Sequence, residues 1–179
     1  MPPSRIVFAG APGGGKTAVL QALALRGFPV AADSARSIIR ARRARSLAPR
    51  PAPLEFAEAT LRQDIEQYDE HACRSGLVFF ERGVVDAMGM LHELGALPKD
   101  RMQALLAAHP YHPRVFMFPA WKAIYANDAE RDQTFADAER VHRSSAHWYR
   151  RCGYDVVEVP KVDIEQRCAH VLQALGAAA

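Results

Sequence analysis

By polarity alone, the chain alternates short apolar runs with longer stretches in which apolar residues return at helical spacing. The runs are Ile6-Val7-Phe8-Ala9, Phe28-Pro29-Val30-Ala31-Ala32, Leu77-Val78-Phe79-Phe80, Arg114-Val115-Phe116-Met117-Phe118 and Tyr154-Asp155-Val156-Val157-Glu158-Val159. Short runs of this kind, bounded by Gly, Pro or charge, predict buried strands. The stretches between them predict helices over 18–25, 34–45, 54–75, 84–94, 99–108, 137–151 and 163–175, with Gly27, Gly76, Gly95 and Gly153 as stops. Pro49, Pro51 and Pro53 break the chain into a loop after the second helix. Strands separated by helices predict an α/β fold: a parallel sheet with helices on both faces, hence a three-layer α/β/α sandwich. Ligands of such sheets lie beyond the carboxyl ends of the strands. That rule places the end of the first strand, Asp33, Glu81-Arg82, Pro119 and Pro160 along one edge.

The turn after the first strand carries the strongest chemical signal. Gly10, Ala11, Pro12, Gly13, Gly14, Gly15, Lys16 and Thr17 fit G-x-x-x-x-G-K-[ST], the P-loop, in the required order of strand, loop and helix. Glycines let the backbone turn its N–H groups onto phosphates. The helix beginning near Ala18, itself counted with the nucleotide-binding residues, aims its positive end at the same anion. Lys16 is expected at the surface, reaching the β and γ phosphates, and Thr17 is expected to hold Mg²⁺. The chain is therefore expected to bind a nucleoside triphosphate. No Asn/Thr-Lys-x-Asp guanine motif is present, which tilts the expectation to ATP.

Composition adds bounds. A chain of 179 residues suits one domain, spanning 1–179, with a substrate-side helical segment about 33–75 and a lid about 121–137. The opening Met1-Pro2-Pro3-Ser4 has no signal-peptide character, and no apolar run approaches a membrane span. Cys73, Cys152 and Cys168 are odd in number and lack metal spacing, so they read as reduced core fillers of a cytoplasmic protein. The seven histidines show no H-E-x-x-H spacing. Net charge is only +3, but nineteen of the 23 basic residues are Arg. Arg is the better bidentate phosphate ligand; codon bias is the plainer source of the excess, since Ala is abundant too.

At the edge of the sheet, residue types suggest phosphoryl chemistry. Glu81 ends the most apolar run, where a carboxylate can face Mg²⁺ or its waters, though strands also end in acids by chance. Arg82 either pairs with Glu81 as plain structure or grips a phosphate or an acceptor. Asp33 and Arg36 share a helical face. Asp33 can take a proton from an acceptor hydroxyl with Arg36 anchoring that acceptor, or Asp33 is simply a helix N-cap. Arg131, in the charged stretch Tyr125 to Gln133, either covers the transferring phosphoryl group or lies on a solvated face.

Together these residues resemble a known group. Gly10 to Thr17, Asp33-x-x-Arg36, Phe79-Phe80-Glu81-Arg82-Gly83 with Asp86, Asp128-x-x-Arg131 and Gly153-Tyr154 through Val159-Pro160 look like the small AAA-domain predicted ATPase/kinase family of P-loop proteins. That family is similar to nicotinamide riboside kinase domains and, more distantly, to nucleoside and thymidylate kinases. The resemblance implies an adenylate-kinase-like fold with the P-loop strand central in a five-stranded parallel sheet. It also implies that Glu81-Arg82 matches the family's Asp-Arg-Gly and that Asp33 matches an acid used as general base. Asp86 then joins Asp33, Arg36 and Arg82 as an acceptor-side residue.

The expected activity is ATP·Mg-dependent transfer of the γ-phosphoryl group to a small-molecule hydroxyl. Lys16, Asp33, Arg82 and Arg131 are the expected catalytic residues, and Thr17 and Glu81 hold the metal. The other readings are a nucleotide-dependent switch or binding module without a small acceptor, and a nucleic-acid-binding NTPase. The modest charge and the lack of interleaved aromatics around Arg36 to Arg50 count against nucleic acid.

Overall fold

Strand β1 (Ser4–Gly10) runs through the middle of a five-stranded sheet. In this computed structural model, which describes residues 4–125 and 134–177, the elements follow in the order α1 (Lys16–Leu25), β2 (Val30–Ala31), α2 (Ser34–Ala44), α3 (Pro53–Glu70), β3 (Leu77–Glu81), α4 (Val84–Glu93), α5 (Lys99–Ala108), β4 (Arg114–Phe118), α6 (Phe135–Arg151), β5 (Asp155–Glu158) and α7 (Ile164–Ala174). The sheet order is β2-β3-β1-β4-β5 and every pair is parallel. All five strands therefore end at one edge.

The period-two alternation of the strands sorts the core into two halves. Ile6, Phe8, Phe79, Phe116 and Phe118 point to one face, where α1 and α7 cover them with Val19, Leu23, Cys168 and Val171. Val7, Ala9, Val78, Phe80, Val115 and Met117 point to the other, under Leu61, Tyr68, Val85, Met88, Leu91 and Tyr149 from α3, α4 and α6. Register then aligns the functional edge. Phe8 pairs with both Glu81 and Phe116. Arg82 N–H donates to the Phe8 carbonyl (2.9 Å) and Ala11 N–H to the Phe118 carbonyl (2.9 Å), locking three strand ends together.

Some elements differ from the polarity reading. β2 has only two residues, Val30–Ala31; it begins late because Pro29 has no N–H to give a ladder, though the Pro29 carbonyl accepts from Phe79 N–H (3.0 Å). Pro53 opens α3 at the first helical turn, where its missing N–H costs nothing, rather than breaking α2. α3 ends at Glu70, capped by His71, and Gly76 (φ +79°) shapes the later approach to β3. Cys168 is buried and Cys152 half-buried, but Cys73 is exposed and fills no core. No helix among the described residues is long and apolar enough to cross a membrane.

Candidate active site

The P-loop wraps from the end of β1 into α1, which begins at Lys16 with Gly15 as its N-cap. Two of its glycines are needed on steric grounds. Gly10 has φ +106°, and a Cβ there would meet the Phe118 carbonyl oxygen at 2.4 Å. Gly15 has φ +88°, and a Cβ there would meet Arg167 Nη1 at 2.5 Å. Lys16 is not at the surface: it is only 4% exposed, because the loop folds over its own lysine. Its Nζ donates to the Ala11 carbonyl (2.7 Å). Burial, helped by the nearby Arg82 charge, lowers its pKa to about 8.

Thr17 and Glu81 meet although 64 residues separate them in sequence. The Thr17 hydroxyl donates to Glu81 Oε2 at 2.8 Å, with Oε1 at 3.0 Å. Glu81 thus faces the P-loop and not Arg82. Mg²⁺ takes hard oxygen ligands, keeps several waters, and binds through one or two protein oxygens plus phosphates. A hydroxyl and a carboxylate converging at the start of α1 fit that donor set.

The opposite side of the same edge is built around Arg82. Its backbone is left-handed (φ 64°), an arrangement that costs roughly 1 kcal/mol for a residue with a side chain. That turn swings the guanidinium under the P-loop. Nη2 donates to the Gly10 carbonyl (3.0 Å), Nη1 to Asp86 Oδ1 (3.0 Å), and Nε lies 3.5 Å from Asp33 Oδ2. Burial opposes the Arg82 charge, but Asp86, Asp33 and Glu81 outweigh it and its pKa rises further. Asp33 serves two neighbours at once. Oδ1 caps α2 by accepting from Arg36 N–H (3.1 Å), and Oδ2 faces Arg82. Asp86 Oδ2 accepts from Gly83 N–H (3.2 Å) and Tyr149 Oη–H (2.5 Å). Burial still holds the Asp86 carboxyl above its ordinary pKa, against the pull of Arg82.

P-loop and acceptor-side residues line one cleft of about 1650 Å³, reached by Lys16, Thr17, Asp33, Arg36, Glu81, Arg82 and Asp86 together. Arg36 is half-buried in its wall. Arg131 lies outside the described residues, as does the middle of the expected lid, 126–133; of the flanking parts, Trp121 and Ile124 line the cleft. Arg140 also reaches the cleft and pairs with Asp137 (2.8 Å).

Two buried charges in this cleft escaped the sequence reading. Arg167, from α7, is 2% exposed. It donates through Nη1 to the Gly14 carbonyl (2.9 Å) and through Nε to the Pro160 carbonyl (3.0 Å), and its guanidinium lies 4.6 Å from the centre of the Trp121 ring. Burial lowers its pKa. Nothing local in the sequence marks it. Asp64, from α3, is 4% exposed and also lines the cleft. A signal for Asp64 was present: it falls on the same helical face as Phe56, Ala57, Thr60, Leu61 and Tyr68, an acid in an otherwise inward-facing series.

Comparison with known proteins gives this arrangement a family. The family model described as "AAA domain" matches residues 5–167. The chain belongs to the AAA-domain family. No curated protein matches it. Among solved structures it is similar to a deoxyadenosine kinase from M. mycoides with bound dATP, with TM-score 0.65 and 9% identity over 97% of this chain and 100% of that one. It is also similar to the NadR protein in complex with NR, with TM-score 0.67 and 14% identity over 98% of this chain and 52% of that one. At these identities the likeness is one of fold: this AAA-domain chain has the P-loop kinase architecture, with its P-loop strand central.

Proposed function

We propose that this AAA-domain chain is an ATP·Mg-dependent kinase that transfers the γ-phosphoryl group to a hydroxyl of a small, nucleoside-like or similar metabolite. One observation carries the reading. A carboxylate and a guanidinium, Asp33 Oδ2 and Arg82 Nε, stand 3.5 Å apart in the same cleft as the P-loop. An NTP-binding loop alone needs no such pair; an acceptor hydroxyl does.

In this reading the P-loop N–H groups and Lys16 hold the triphosphate, and the Lys16 ammonium exchanges the Ala11 carbonyl for phosphate oxygens. Thr17 and Glu81 hold Mg²⁺, which when bound neutralises developing phosphate charge. Asp33 accepts the proton of the acceptor hydroxyl. The acceptor oxygen bonds to the γ phosphorus as the bond to the β–γ bridging oxygen breaks, and ADP leaves. Arg82 and Arg36 position the acceptor, with Asp86 fixing Arg82. Arg131 stabilises the transferring group. The kinases named above support the class of reaction; the acceptor of this chain is its own question.

The test is ADP release from ATP·Mg across a panel of hydroxyl-bearing metabolites. The expected result is a slow background that rises sharply with one compound or one chemical class. A uniformly flat panel, with ATP bound, would leave a nucleotide switch as the better description.

A further inference from the structure

Most buried polar groups on the acceptor side of the cleft are spoken for. Asp33 caps α2 and faces Arg82; Asp86 is held by Gly83, Tyr149 and Arg82. Asp64 is different. Its Oδ2 is buried and has no hydrogen bond of ordinary geometry, the Ser34 hydroxyl alongside it offsetting only part of the burial. That hydroxyl bears on the carboxyl but is not set for a well-formed bond to it either. Leaving a buried polar oxygen without a partner is costly and uncommon in native proteins. Such a group, lining a ligand cleft, is where a ligand atom belongs.

The surroundings define that atom. The charged groups bearing on Asp64 are Asp33, Asp86 and Arg82, so three carboxyls share one guanidinium. That balance favours a hydrogen-bond donor or a positive charge over another acceptor oxygen. Burial raises the Asp64 pKa well above the usual carboxylate range, with Asp86 and Asp33 adding to the rise and Ser34 and Arg82 opposing it. An N–H donor placed there stabilises the ionised carboxylate against its acidic neighbours, whereas a carbonyl is held only while the carboxyl keeps its proton. Next to it on α3, Thr60 and Phe56 continue the same wall, and Ile39 of α2 adds an apolar surface. The wall thus suits a flat or apolar body with a nitrogen-borne polar edge.

We propose that Asp64 reads the acceptor: the substrate carries an amino or other N–H group that hydrogen-bonds Asp64 Oδ2, and compounds with an oxygen in its place are rejected. This rests on the kinase reading for its choice of ligand, but the carboxyl's role as a reader stands or falls on binding alone. A pocket that offers a hydrogen-bonding group to one substrate leaves that group stranded with the analogue lacking it, and so discriminates strongly.

The experiment uses matched pairs that differ at one group: cytidine and uridine, adenosine and inosine, glucosamine and glucose. Binding is followed by calorimetry and turnover by ADP release with ATP·Mg, for the parent, Asp64→Asn and Asp64→Leu. The expected outcome is that the amino member of one pair binds at least about tenfold tighter than its mate. Asp64→Leu removes that ratio. Asp64→Asn, which keeps one carbonyl oxygen and the shape, retains part of it, mainly through KM and with little change in kcat. If Asp64→Leu fails to fold, the Asp64→Asn ratio decides. A parent that prefers the oxo or hydroxy member, or binds no pair, overturns the proposal. So does a ratio that survives both substitutions, which would leave Asp64 as a water-satisfied structural acid. Binding with the predicted ratio but no ADP release would sink the kinase reading and leave the Asp64 assignment intact.

Discussion

The two halves of the cleft are built differently. On the nucleotide side, most polar groups satisfy one another: Lys16 donates to Ala11, Thr17 to Glu81, and Arg167 to Gly14, with Arg167 Nη2 alone left over on that guanidinium. Most of these contacts lie within or against one loop of eight residues. On the acceptor side, Asp33, Asp64 and the Arg82–Asp86 pair come from three different segments, carry an excess of acid, and leave Asp64 Oδ2 without a well-formed bond. The nucleotide half is held by short contacts around one loop. The acceptor half is incomplete without something bound, and specificity is expected to reside there.

If the halves are separable, a change in one should spare the other. The sharpest such change is Asp33→Asn. Asn caps a helix about as well as Asp, so the melting temperature should fall only modestly, through the lost ion pair between Asp33 Oδ2 and Arg82. Turnover of the verified acceptor should fall roughly a hundredfold or more, the scale of a lost general base, with ATP affinity unchanged. A silent Asp33→Asn beside an Asp33→Ala that loses about 1 kcal/mol of stability would reduce Asp33 to a cap.

Lys16→Ala is the complementary cut. Losing charge-assisted bonds to phosphate should weaken ATP·Mg binding by about one to two powers of ten. Acceptor binding should remain, and the free protein should not be greatly destabilised, since burial already works against the Lys16 charge. Equal ATP affinity by calorimetry would remove the P-loop assignment.

A smaller effect is expected from Glu81→Gln. It keeps the shape opposite Thr17 and should lower the apparent Mg²⁺ affinity in turnover by several-fold, more than it alters nucleotide binding. A Mg²⁺ titration superimposable on that of the parent would leave Glu81 as a strand end.

The subtlest prediction concerns stability and pH. A carboxyl whose folded pKa is raised favours the fold while protonated and loses that advantage as pH climbs through the folded value. Asp64→Asn lacks this titration. Its melting temperature should therefore match the parent's near pH 4, and its advantage should widen as pH rises, by about 1.4 kcal/mol for each unit of pKa elevation. A constant gap from pH 4 to 8 would mean that Asp64 is ionised without cost.

What could be foreseen follows the same division. The P-loop and Glu81 at the end of β3 were legible because each is a contiguous pattern with its own spacing, while the central position of the P-loop strand came from the family resemblance. The parallel sheet followed from alternation. The partner of Arg82 was not legible: it depends on a left-handed turn after Glu81 that directs the side chain to Asp86 and Asp33. The buried state of Lys16 depends on how the loop closes over it. Asp64 was hidden because an acid in an amphipathic helix is ordinarily counted with its polar face, although its spacing from Phe56 and Thr60 put it inside. Asp33 was read as either cap or base; Oδ1 makes the cap and Oδ2 turns to Arg82, and the base role stays a proposal.

Arg167 has a consequence for biosynthesis. The guanidinium that rests on the Gly14 carbonyl is translated 153 residues after it. At roughly 5–20 residues per second, the P-loop of a growing chain waits on the order of ten seconds for that partner. Until α7 has emerged and docked against α1, the nascent nucleotide site lacks its final brace, and the apolar face formed by Ile6, Phe8 and Phe79 lacks half its cover. The brace on the P-loop is thereby deferred until α7 has been made.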